Sequence, residues 1–229
     1  MRRLWRRPPP CPETADEDVE RGLSNGEAIP ERFAVGRLAG LGITFAANLS
    51  PPLAWSELPP GTCSLVLLCS DFDVPGEVGD VNQPDREVPA DLPRVDFYHW
   101  VLVDIPADWR GFAQGQWSQG FTPRGKAGPA ADAAMAAGPR PGLNDYTGWF
   151  ADDVERGGAY FGYDGPFPPF NDSLVHHYVF TLYALDIARL PVAGAFTGPQ
   201  VRATMAGHVL GAATLSGTYT LNRRLRPAA

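Results

Sequence analysis

The sequence predicts a mainly β domain with long connections. Hydrophobic residues make up 44% of the 229 residues, enough to fill a core, while 25 glycines and 24 prolines demand frequent turns. The apolar residues fall in short runs rich in aromatic and β-branched side chains, bounded by turn residues, as in strands. A chain of this length accommodates one large β domain.

The elements follow in order. Residues 1–30 are rich in Arg, Pro, Asp and Glu and lack apolar periodicity, so they read as a disordered or loosely attached arm ahead of a single domain spanning 31–229. Arg2, Arg3, Arg6 and Arg7 precede Pro8–Pro10, and no apolar run of signal-peptide length follows them. Ile43-Thr44-Phe45 reads as a first strand, ended by a turn at Asn48–Pro52. Ser64–Ser70 is a short apolar run between Gly61 and Asp71, the length of a buried strand. Residues 76–96 form a polar loop, and Phe97–Ile105 a strand stopped by Pro106. Residues 106–148 carry so many glycines and prolines that a long functional or covering loop is expected. A short strand at Ala159–Tyr163 and a rigid extended segment at Gly165–Pro169 come next. Val175–Leu185 is the longest strand signal. Thr197 and Gln200 have the spacing of a capping box. Val201, Met205, His208, Val209 and Ala212 then recur at helical spacing, so a helix is expected up to Gly217, with a last strand at Thr218–Leu221.

The net charge of −7 argues against a nucleic-acid groove, which needs a basic surface. No stretch approaches the ~20 apolar residues of a membrane span. A cytoplasmic protein is the expectation. Cys63 and Cys69 sit on one strand and so lie roughly 20 Å apart, too far to bridge. With Cys11 in the arm, buried free thiols are expected.

Four signals bear on chemistry. Gly120-Phe121-Thr122-Pro123-Arg124-Gly125-Lys126 has the spacing of a phosphate loop, but Ala127 stands where Ser or Thr would bind magnesium, and Gly128-Pro129 spoils the helix that should follow. No G-x-S-x-G elbow is present, and Cys69 reads as a small core residue. Asp71, His99 and His176 are the right types for a two-His, one-carboxylate metal site, though no short ligand spacing supports one. Neighbouring His176 and His177 point to opposite strand faces. His99 is expected on a face with Phe97, Val101 and Val103, and His176 on one with Tyr178, Phe180 and Leu182. His208 and His177 read as structural.

Several separated motifs occur in an order that resembles a known family. Ser50-Pro51-Pro52-Leu53-Ala54-Trp55, Gly61-Thr62, Asp71-Phe72-Asp73-Val74-Pro75 and His99–Pro106 resemble the first block of the phosphatidylethanolamine-binding family. Asn144-Asp145, Gly165–Pro169, His176–Phe180 and Tyr183–Asp186 are similar to the second block, nearest the bacterial branch often labelled Raf-kinase-inhibitor-like. Phe72 stands where the family often has Pro, and His177 where it often has Arg. The resemblance implies a large antiparallel sheet packed with a smaller one, and one or two peripheral helices including one near the C-terminus. It implies a pocket formed by Asp71, Asp73, Pro75, His99, Gly165, Pro168, Pro169, His176 and Tyr178. The pocket would hold phosphate or a phosphorylated head group without catalysis or cofactor. A kinase or protease partner and a homodimer follow from the same likeness. A hydrolase of small phosphate esters, with Asp and His as base and acid, is the alternative.

A pocket without Lys or Arg needs charge from elsewhere to hold an anion. The expectation is that Asp71 keeps His99, His176 or both protonated, so that their N–H groups donate to the anion. Gly165 would let the chain approach the ligand, and Pro168 and Pro169 would hold the rim in one shape.

Overall fold

A computed structural model describes residues 22–128 and 138–226. Strands β1 (Gly36–Ala39) and β2 (Gly42–Phe45) form a hairpin, and β3 (Leu53–Ala54) pairs with β6 (Gly111–Phe112) in a second small sheet. The main sheet is five-stranded and antiparallel. It contains β4 (Ser64–Pro75), β5 (Arg94–Pro106), β7 (Arg140–Pro141), β8 (His176–Leu185) and β9 (Val209–Tyr219), in the order β7-β5-β4-β8-β9. Two short helices, α1 (Tyr146–Trp149) and α2 (Gly198–Thr204), complete the fold. The mainly β class, with one large and smaller sheets, is as the sequence predicts.

The central strand β4 explains its own apolar run, because it is covered on both faces. Leu65, Leu67 and Cys69 pack with Trp100, Leu102, Phe180 and Leu182 in one core. Val66 and Leu68 pack with Tyr98, Val101, Val103 and Leu185 in the other. Val201 and Met205, from α2 and its C-terminal end, close the second core.

Local chemistry corrects four expectations. The capping box at Thr197 forms, with its N–H donating to Gln200 Oε1 at 2.9 Å, but the helix ends at Thr204. Gly207 turns the chain at φ +85°, and the residues expected to continue the helix form β9, paired along β8 from Leu185 to His176. The 3.6-residue spacing of Val209 and Ala212 was fortuitous. The strand expected at Ala159–Tyr163 reduces to one bridge between Leu143 and Phe161. The arm ends earlier than residue 30. The N–H groups of Gly26 and Ile29 donate to Ser216 and Thr218 carbonyls at 2.8 Å, and Ile29 is buried against Gly217, where a Cβ would meet its Cγ1 at 2.6 Å. Cys69 is a buried free thiol as expected, but Cys63 is exposed because it precedes β4 rather than lying in it. Cys11 and residues 1–21 lie outside the described residues.

Candidate functional site

Two irregularities in the main sheet bring the site together. Between Cys69 and Ser70 the register of β5 shifts, so that Cys69 faces Trp100 and Ser70 faces Tyr98, and His99 is the unpaired extra residue. A bulge of this kind changes which face each residue addresses. His99 therefore leaves the face of Val101 and Val103, where simple alternation puts it. It packs edge-on against Tyr178 (centroids 5.0 Å) and Tyr146 (5.5 Å) instead. A second shift between Asp71 and Val74 ends the regular ladder of β4 beside the first residues of β5 and β8.

Asp71, Pro75, His99, Pro168, Pro169, His176 and Tyr178 all line one cavity of about 490 Å³. Asp73 and Gly165 do not. Asp73 is turned to the opposite face, where its Oδ2 accepts from the His177 N–H at 2.8 Å and meets His177 Nδ1 at the same distance. His177 also stacks on exposed Phe72 at 5.6 Å, so Phe72 and His177 form a unit on the outside of the sheet. Gly165 is required by the chain, not by a ligand: a Cβ there would sit 1.9 Å from the Phe33 carbonyl and 2.7 Å from Tyr163 Oη.

The two histidines have opposite electrostatics. His176 is fully buried between carboxylates, with Nδ1 2.7 Å from Asp71 Oδ2 and Nε2 3.1 Å from Asp172 Oδ2. Burial opposes its charge, but hydrogen bonds to Asp172 and Asp71 outweigh that and raise its pKa to about 9. Burial raises the Asp172 carboxyl, while His176 and Arg94 more than reverse the effect and hold it below the ordinary value. Arg94 reaches both Asp172 oxygens, at 2.7 and 3.1 Å, so charges alternate along Arg94, Asp172, His176 and Asp71. Both nitrogens of His176 are thus committed within the protein. The remaining Asp71 oxygen, Oδ1, accepts the Asp73 N–H at 2.8 Å.

His99 is the contrary case. Burial lowers its pKa, against the opposing field of Asp71 and the bond to the Asp164 carbonyl. That carbonyl lies 2.8 Å from Nδ1. A carbonyl can only accept, so Nδ1 carries the proton and Nε2 of the neutral ring keeps its lone pair. Tyr178 Oη is buried and has no hydrogen-bond partner among the described residues. Burial, reinforced by the Asp71 charge, pushes its pKa well up and keeps the phenol protonated. The floor therefore presents one uncommitted hydroxyl beside one neutral imidazole.

Residues not selected from the sequence hold this arrangement. Asp164, completely buried, accepts from Asn48 Nδ2 at 2.7 Å, Lys126 Nζ at 2.6 Å and Asn144 Nδ2 at 2.8 Å. It ties three loops to the carbonyl that sets the His99 tautomer. Lys126 belongs to the segment with phosphate-loop spacing, and its ammonium is spent on Asp164. Asn144 lies in the second resembling block, and Asp172 stands one helical-type step (i, i+4) before His176, but neither spacing signals a role inside an irregular loop. The metal option finds no support in the donor set: among the described residues no group of three or more His, Cys, Asp or Glu side chains is placed to hold an ion.

An antiparallel sheet with a polar-floored, aromatic-walled cavity at one end defines a ligand-binding β protein. The chain belongs to the phosphatidylethanolamine-binding protein family, whose pattern it matches over residues 20–220. It is 29% identical to the UPF0098 protein YbhB of Escherichia coli over 202 residues, covering 88% of this chain and 98% of that one. It is 33% identical to a UPF0098 protein of Methanothermobacter thermautotrophicus over 172 residues, or 75% and 83% of the two chains. Among solved structures, a phosphatidylethanolamine-binding protein homologue from Chlamydia trachomatis superposes with a TM-score of 0.55 at 26% identity, covering 87% of this chain and 93% of that one. The E. coli YbcL structure, at 23% identity and a TM-score of 0.57, shares the fold. No helix among the described residues is long and apolar enough to cross a membrane.

Proposed function

We propose that the protein binds phosphate or a phosphorylated head group at the Asp71–His99–Tyr178 floor without turning it over. One observation carries the reading: the buried hydroxyl of Tyr178, beside the Asp71 carboxylate, makes no hydrogen bond of regular geometry among the described residues, and it lies in the same cavity as the uncommitted nitrogen of His99. A buried hydroxyl left without a partner costs free energy that an oxygen-rich guest would recover. The family's name, with its phosphorylated lipid head group, supports the same chemistry.

The mechanism differs from the one expected from sequence. His176 is charged at neutral pH, but its N–H groups go to Asp71 and Asp172, so it neutralises the floor rather than touching the guest. The anion is held by Tyr178 Oη–H and by His99, which takes up a proton at Nε2 when the anion arrives and then donates to it. Binding is therefore coupled to protonation of a ring that burial keeps neutral beforehand. Affinity should fall about tenfold per pH unit once the pH exceeds the His99 pKa of the free protein, and level off above the pKa of the complex. Both Asp71 oxygens are engaged within the protein, so Asp71 is not poised as a general base for hydrolysis.

The test is a titration with inorganic phosphate followed by NMR of the imidazole nitrogens at pH 6 and pH 8. Phosphate should move the His99 signals towards the imidazolium and bind more weakly at pH 8. An unmoved His99 ring, or equal affinity at both pH values, would overturn the reading.

A further inference from the structure

The ladder between β4 and β8 ends at Asp71 and Tyr178, and past that point β4 is irregular on its other side as well. Phe72 and Asp73 together stand against Asp96 of β5, two residues opposite one. Where a ladder is disrupted, backbone donors must find other partners. The N–H of His177, next along β8, finds the Asp73 carboxylate. Asp73 Oδ2 accepts that N–H at 2.8 Å and meets the His177 ring at Nδ1, also at 2.8 Å. The ring is oriented by Phe72, stacked on it at 5.6 Å with 8° between the planes, and Thr218 stands opposite on β9.

Asp73 is tied to the floor by its main chain. Its N–H donates to Asp71 Oδ1 at 2.8 Å, and its carbonyl accepts from Arg94 Nη1 at 2.7 Å. The other oxygen of Asp71, Oδ2, meets His176 Nδ1 at 2.7 Å. The rotation of the Asp71 carboxylate therefore depends on where Asp73 stands, and Asp73 is held by His177. Side-chain exposure rises along this line, from 1% at Asp71 to 14% at Asp73 and 47% at His177. The line thus joins the buried floor to the outer face of the sheet, and neither Asp73 nor His177 lines the cavity.

We infer that Asp73 and His177 are positioning residues: their pair on the outer face holds Asp71 against His176 and so keeps the Asp71 charge from facing the guest. Released from the pair, Asp71 turns away from His176 and brings an uncompensated negative charge to a floor that holds an anion, which weakens binding. The inference rests on the floor reading above, and it adds residues that tune the floor from outside the cavity.

NMR titration of the His176 ring in the full chain tests the brace with no ligand present. The midpoint, about 9 in the wild type, should fall by about one pH unit in His177→Ala. It should stay at the wild-type value in His177→Arg, whose guanidinium restores a donor to Asp73. The direction is decisive, because removing a nearby positive charge without moving Asp71 leaves the His176 midpoint unchanged or raises it. A His177→Ala midpoint at or above the wild-type value overturns the inference, whatever any ligand does. Calorimetry with inorganic phosphate at pH 6 gives the second reading. His177→Ala should bind at least about fivefold more weakly than the wild type, with His177→Arg restoring the affinity. Equal phosphate affinity in wild type and His177→Ala, with the His99 signals shifted in both, also overturns it. A lowered His176 midpoint with no phosphate shift of His99 in any of the three proteins upholds the brace and overturns the floor reading instead.

Discussion

The charge on His176 can be read directly from how stability depends on pH. Its imidazole has no contact with water and sits between Asp71 and Asp172. Its pKa of about 9, against an ordinary 6.5, is worth about 3 kcal/mol of folding free energy at roughly 1.4 kcal/mol per pKa unit. The sign follows from which state binds the proton more tightly. Below pH 6.5 the ring is charged in both folded and unfolded chains, and the stabilisation is present in full. As pH rises from 6.5 towards 9 the unfolded chain has released its proton while the folded one must hold it, so the contribution drains away. Above about 9 it is gone. Urea unfolding of the wild type and of His176→Gln across pH 6 to 9.5 reads this directly. The stability difference between them should shrink by about 3 kcal/mol over that window. NMR of the wild-type protein at pH 7.5 should show both ring nitrogens of His176 protonated, whether or not the variant folds. A pH-independent difference, or a His176 ring that titrates near 6.5, would refute the clamp.

The remaining predictions concern the floor and its supports. Tyr178→Phe should weaken phosphate binding at least tenfold in calorimetry while changing the melting temperature little, since the hydroxyl makes no hydrogen bond of regular geometry among the described residues. Asp164→Asn should cost about 3–5 kcal/mol in urea unfolding, because Lys126 loses its buried counter-charge and three loops lose a shared acceptor. The same variant should change the His99 nitrogen shifts if the Asp164 carbonyl moves. Gly165→Ala should destabilise by about 1–3 kcal/mol through its clash with the Phe33 carbonyl, seen as a lowered melting temperature.

Much of the site was legible in the chain, but unevenly. Asp71, His99, His176 and Tyr178 stand in segments whose strand character is plain, and all of them line the cavity. Asp73, two residues on, should share the face of Asp71 by simple alternation, but the irregularity between Asp71 and Val74 turns it to His177 instead. Asp164, Asn48 and Arg94 gave no signal, and the phosphate-loop spacing at Lys126 pointed away from its partner Asp164. Each lies in irregular chain or at a strand end, where no period tells a buried ion pair from a solvated charge. Residues 205–217 differ for another reason. Val209 and Ala212 fit a helical face and a strand equally, and only Gly207 and the waiting edge of β8 decided between them.

While the pocket residues were implied by the family resemblance, the sequence by itself determined the β class, the positions of β4, β5 and β8 and the capped start of α2. These follow from local chemistry: side-chain bulk, alternation, turn residues and a side-chain cap. Only the tertiary structure decided which way His99 faces, and which histidine is charged. A single unpaired residue in β5 inverts the face of everything before it, and nothing in its neighbours' sequence marks the place. The charge on His176 and the neutrality of His99 depend on partners 105 and 65 residues away, Asp71 for the one and the Asp164 carbonyl for the other. Distances across the fold, not spacing along the chain, set those fields.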